Sequence, residues 1–91
     1  MSEAEFLVRG VSSGADGVLV SGIVNKGSIV NGVTFSLLRT RDASEQKVEL
    51  VVTKIVTYRR EVTELPSGMS GDLYLDGFGI ELIQGRDMLV G

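Results

Sequence analysis

Apolar residues along this chain either alternate with polar ones or gather in β-branched runs. Nowhere do they recur at the i, i+3, i+4, i+7 spacing of an amphipathic helix with caps. Val18-Leu19-Val20-Ser21-Gly22-Ile23-Val24 lies between Gly17 and Asn25-Lys26-Gly27. Val33 to Leu37 alternates with period two, Lys47 to Tyr58 is a long β-branched run, and Asp72 to Asp76 places Leu73 and Leu75 on one face. Glu3 to Val11 and Ile80 to Val90 supply the first and last strands. The pattern predicts an all-β fold, a six- or seven-stranded antiparallel β-barrel, because closure removes the edges of such short strands.

The punctuation agrees. Twelve glycines and one proline divide 91 residues. Gly17 and Gly27 stand at strand ends, where a turn requires positive φ. Gly22 lies inside a strand, which marks a bulge or a close backbone approach at a barrel corner. Leu65-Pro66-Ser67-Gly68 reads as a turn with Pro66 second and Gly68 fourth. The longest polar connection, Arg41 to Gln46, reads as a mobile hairpin tip. The length predicts a single domain over residues 1–91 and modest stability.

Several chemistries are excluded by composition. With no Cys there is no disulfide framework, thiolate metal site or cysteine nucleophile. With no His, the commonest general base and transition-metal ligand are missing too. Asp72 and Asp76 share a strand face but stand about 13 Å apart, too far for a glycosidase pair. Ser12, Ser13 and Ser67 have no His to activate them, and no Ser–Lys spacing with Lys26, Lys47 or Lys54 supports a substitute. Asp16, Asp42, Asp72, Asp76 and Asp87 lack calcium-loop spacing. The expectation is a non-enzyme without cofactor or metal. No apolar run is long enough for a membrane helix, and the N-terminus carries no export pattern, so the expected compartment is the cytoplasm.

Charge is unevenly placed. The chain carries −3 overall, but residues 39–60 carry +3 through Arg39, Arg41, Lys47, Lys54, Arg59 and Arg60, which leaves −6 elsewhere. That balance is poor for general nucleic-acid binding but permits a local anion site.

The stretch Asp16 to Gly32 resembles the second domain of the translation GTPases, in which a strand ends in Gly-x-Val, two polar residues and Gly, followed by x-Ile-x-x-Gly. Lys54 to Arg60 resembles that family's segment carrying an aromatic followed by Arg. Leu65 to Gly68, Leu73 to Gly77 and Ile83 to Leu89 resemble its later pieces, in order. The match covers residues 6–90 and implies a barrel of the elongation factor Tu domain 2 type. The phosphate loop Gly-x-x-x-x-Gly-Lys-Ser/Thr is missing, so the implied object is a stand-alone barrel that binds no nucleotide.

In elongation factor Tu this domain grips the aminoacyl end of tRNA. The resemblance places Tyr58 at an aromatic or His position of that pocket and Arg59 at its Arg. Ser70 stands where an Asn faces the amino acid. Val56 replaces a Glu that contacts the terminal adenosine, and an acidic pair falls near Val8 and Arg9, with the charge reversed. The adenosine contacts are therefore lost while part of the pocket is kept.

The expected function is a non-catalytic binding or adaptor module whose partner is a protein, a ribonucleoprotein or an RNA end. Its surface should include Tyr58, Arg59 and Arg60, where an aromatic beside guanidinium groups can stack and pair. If Val20, Gly22 and Val24 face the core, Leu19 and Ile23 face out. Together with the two-sided apolar run Leu50-Val51-Val52 they offer a contact surface for a partner or a second copy. The alternative reading is a small regulatory or inhibitory, immunity-type protein that caps a basic partner with the acidic remainder of the chain.

Overall fold

In the computed structural model, residues 4–14 and 17–91 are described. Among these residues nine strands follow one another: β1 (Glu5–Gly14), β2 (Gly17–Lys26), β3 (Ile29–Val30), β4 (Thr34–Arg39), β5 (Glu45–Thr57), β6 (Arg60–Val62), β7 (Glu64–Leu65), β8 (Ser70–Phe78) and β9 (Met88–Val90). Hydrogen-bonded neighbours run β4-β9-β1-β2-β8-β5, and β4 pairs β5 again, so six strands close into a barrel-like ring. β6 extends the sheet beyond the end of β5, and β3 with β7 forms a separate two-stranded ribbon. All the pairings are antiparallel.

The interior follows from the alternation. Val20, Gly22 and Val24 of β2 turn inward, as do Phe6 and Val8 of β1 and Leu73 and Leu75 of β8. Phe35, Leu38, Leu50, Val52, Ile55 and Leu89 complete the centre. Of the Leu50-Val51-Val52 run, Leu50 and Val52 lie in the core and Val51 faces solvent.

A ring this small must bend sharply, and glycine permits it. Gly22 lies opposite Val8 on one side and Gly71 on the other. A Cβ on Gly22 would stand 1.9 Å from the Leu7 carbonyl oxygen and 2.9 Å from the Phe6 ring. The mid-strand glycine thus marks a close backbone approach. Register slips by one residue at Arg9 of β1 and at Thr53 of β5, where bulges sharpen the curvature.

Some strand and turn bounds need correction. Ile80 to Val90 is not one strand. A 3-10 turn occupies Ile80–Leu82, and only Met88–Val90 joins the sheet. Gly79 at φ 99° breaks the strand path. Buried Asp87 then takes the Gln84 N–H on its carboxylate at 2.9 Å, while its backbone oxygen accepts from Val8 at 2.8 Å. The turn at Pro66 is also displaced by one residue. Met69 N–H donates to the Pro66 carbonyl, which makes Pro66 first and Gly68 third, and Gly68 adopts φ 87°. That is the type II position where glycine is favoured.

The first strand runs on to Gly14 rather than ending at Val11, and β5 begins at Glu45, inside the tip expected over Arg41 to Gln46. Gly17 and Gly27 adopt φ 108° and 69° at their strand ends. The β4–β5 tip is tied by Thr40 N–H to Ser44 O at 2.8 Å, and the strand resumes at Glu45. Glu3 of the first predicted strand and Asp16, which opens the stretch carrying the resemblance, lie outside the described residues. Among the described residues, no helix is long and apolar enough to cross a membrane.

Candidate functional site

The β5–β6 connection is a hairpin with a two-residue tip. Thr57 pairs with Arg60, and Tyr58 and Arg59 form the turn between them. Both turn residues adopt left-handed backbone, with φ 51° at Tyr58 and 64° at Arg59. Positive φ at both central positions defines the type I′ turn that matches strand twist and normally selects Asn-Gly. Here it carries a tyrosine and an arginine. Left-handed backbone costs an L residue roughly 1–2 kcal/mol, so this tip holds two such residues where Asn-Gly would be unstrained. Tyr58 is 79% exposed, so packing does not account for it.

The tip leans over the outer face of the sheet. A cleft of about 380 Å³ is lined by Arg9, Ser21, Gly22, Val56, Thr57, Tyr58, Arg59, Ser70, Gly71 and Asp72. Cross-strand registry explains the grouping. Asp72 pairs with Ser21 on one side and Val56 on the other, and Gly10, next to the Arg9 bulge, pairs with Ser21. The bulge turns Arg9 to the same outer face as its neighbour. Thr57 Oγ1 donates to the Ser70 carbonyl at 2.9 Å, which fastens the base of the hairpin to the start of β8.

The electrostatics are simple. Among the described residues, the one ion pair joins Arg39 to Glu45 at 3.2 Å. Among these residues the Arg9 and Arg59 guanidinium groups around the cleft therefore have no carboxylate partner, and half-buried Asp72 is the one acidic residue of the described lining. Among the described residues, no three His, Cys, Asp or Glu side chains converge as a metal site. Further along this face the Lys54 ammonium stands 5.4 Å from the Tyr74 ring centroid, a cation–π distance.

The structure brings Tyr58, Arg59 and Ser70 to one cleft and adds Val56 and Arg9, whereas Val8, the remaining position singled out from the resemblance, is buried in the core. Arg60 is exposed at the start of β6, beside the tip but outside the lining. Ile23 pairs with Ser70 next to the cleft, whereas Leu19 pairs with Tyr74 further along. Both face outward but are half-buried among neighbours on that face, so the expectation of bare aliphatics there does not hold. Among the described residues, the exposed large apolar ones are Val11, Val30, Val51, Tyr58, Phe78 and Leu82. Sequence reading missed the hairpin tip, since Tyr58-Arg59 contains none of the usual turn residues. It gave Arg9 no positive role because nothing in the sequence announces the bulge.

No protein-family model matches the chain, and no curated protein matches it. A solved structure does: translation elongation factor SelB from Methanococcus maripaludis in its apo form. The TM-score is 0.80 at 18% identity, over 99% of this chain and 19% of the factor's. The chain spans about one fifth of that protein's length. The fold of this chain is that of a β-barrel domain of a translation factor, distinct from the GTPase domain.

Proposed function

We propose that this domain is a non-catalytic RNA-binding module that takes a single-stranded RNA segment or end, free or within a ribonucleoprotein, in the cleft beneath the Tyr58–Arg59 tip. The observation that carries this reading is the tip itself. A strained turn presents an exposed ring and a guanidinium group above a cleft that also holds Arg9, which has no carboxylate partner among the described residues. Strained backbone that packing does not demand concentrates at functional sites. A ring accepts any base by stacking, and arginine pairs with phosphate through a planar fork. The likeness to a translation-factor domain supports an RNA context.

Affinity should be modest and strongly salt-dependent. Two or three arginines correspond to a slope of roughly −2 in log K against log salt. The test is fluorescence anisotropy with a labelled single-stranded oligoribonucleotide. Arg59→Ala with Arg60→Ala should weaken binding by about 1–3 kcal/mol with the fold intact. Free GTP and ATP should bind more weakly than about 10 μM, for want of a phosphate loop. RNA binding unaffected by the double substitution contradicts the assignment. A stoichiometric, RNA-independent complex with a basic protein would favour the inhibitory alternative instead.

A further inference from the structure

We propose that the free edge of β1, residues 10–14, pairs antiparallel with the same edge of a second copy of this chain. The edge of β1 facing away from β2 is covered only as far as Val8. Glu5 to Leu7 pair with β9, and Val8 bonds the 86–87 backbone, accepting from Arg86 at 2.7 Å and donating to Asp87 at 2.8 Å. Beyond that point β1 pairs only with β2 among the described residues, from Gly10 to Gly14.

The alternation of antiparallel bonds tells which residues point outward. Val8 directs its N–H and C=O away from β2. After the Arg9 bulge the alternation resumes, so Val11 and Ser13 also face the open edge. Their side chains lie in the rows that face the core. Val11 pairs with Val20, which is fully buried, and yet Val11 is 40% exposed. An inward-facing valine left this open marks a place where the sheet stops one strand short.

The usual protections of an edge are absent. Gly10-Val11-Ser12-Ser13-Gly14 carries no charge and no proline. The free edge of β6 differs, since it presents Arg60 and Glu61. An uncharged edge offers a foreign peptide nothing to select it by, but it is self-complementary. A two-fold axis through Ser12 sets Val11 opposite Ser13 of the second copy and Ser13 opposite its Val11. Both are outward-bonding residues, so the pairing forms two closely spaced pairs of hydrogen bonds. The two Val11 side chains then become diagonal neighbours on one face and cover each other.

The experiment is sedimentation equilibrium of the chain up to about 1 mM, the range for a contact worth some 4 kcal/mol, with Ser12→Lys and Ser12→Glu as variants. Ser12 of one copy faces Ser12 of the other, so each variant alone sets like charges together and should dimerise at least tenfold more weakly. An equimolar mixture of the two should recover dimerisation, which a folding defect cannot produce. A chain that stays monomeric throughout overturns the proposal. So do single variants that dimerise like the unmodified chain, or a mixture that fails to recover. Dimerisation does not involve the Tyr58 cleft, so Arg59→Ala should leave it unchanged.

Discussion

Gly77 and the Tyr58–Arg59 tip both hold left-handed backbone, at φ 130° for the glycine and 51° and 64° for the tip residues. At Gly77 a Cβ would meet the Glu49 carbonyl oxygen at 2.0 Å, much as one on Gly22 would meet that of Leu7 at 1.9 Å. Glycine is the residue these two places can hold, because neighbouring backbone occupies the space. At the tip nothing crowds the side chains, and the chain carries bulky residues on backbone that asks for Asn-Gly. The first kind of demand builds the ring. The second costs stability and gives nothing back to packing. That difference is the argument for reading the tip as functional.

The largest effect is expected at the crowded glycine. Gly22→Val should cost about 3–5 kcal/mol, the range of severe core disruption, read as a large drop in the urea midpoint. Ser36→Thr, on the outer face, should leave the midpoint nearly unchanged. Equal midpoints would mean that the corner is looser than the distances indicate. The 83–87 connection offers an intermediate case. Asp87→Ala leaves the Gln84 N–H without its side-chain acceptor in a site where Asp87 is only 4% exposed. A loss of about 1–3 kcal/mol is expected.

At the tip the sign should reverse. Tyr58→Asn combined with Arg59→Gly relieves the left-handed strain and should raise stability by about 1–2 kcal/mol while abolishing RNA binding. A double variant that is less stable than the parent would show that the tyrosine or arginine supports the fold. The smallest effect expected is at the β4–β5 tip. There the Thr40 hydroxyl and then the Ser44 backbone N–H hold the Asp42 carboxyl below its ordinary value of 3.8. A lowered carboxyl contributes stability that is full above its unfolded value and is lost as pH falls through the folded one. Asp42→Asn should therefore flatten the stability profile only below about pH 4, and slightly, since the group is fully exposed.

These two kinds of demand also explain how much could be read in advance. The all-β class, the core face of β2, the close approach at Gly22 and the outward turn of Leu19 and Ile23 follow from alternation and glycine placement, and the structure has them. The stretch from Ile80 to Met88 could not be read this way. Its path depends on Asp87, whose buried carboxylate closes a local turn on the Gln84 N–H and whose backbone oxygen bonds Val8 in a distant part of the chain. Of the site, Tyr58, Arg59 and Ser70 were legible through the resemblance. Their meeting with Arg9 depends on a bulge, and the turn at Tyr58-Arg59 violates the residue preferences by which turns are recognised.

RNA binding beneath the Tyr58–Arg59 tip is tested by a residue-resolved titration. Amide shifts of the labelled chain would be followed by NMR as single-stranded RNA is added. Saturable shifts are expected, clustered at Arg9, Ser21, Val56 to Arg59 and Ser70 to Asp72, and lost in the Tyr58→Asn/Arg59→Gly variant. Shifts confined to another face, or unchanged binding by that variant, would contradict binding beneath the tip.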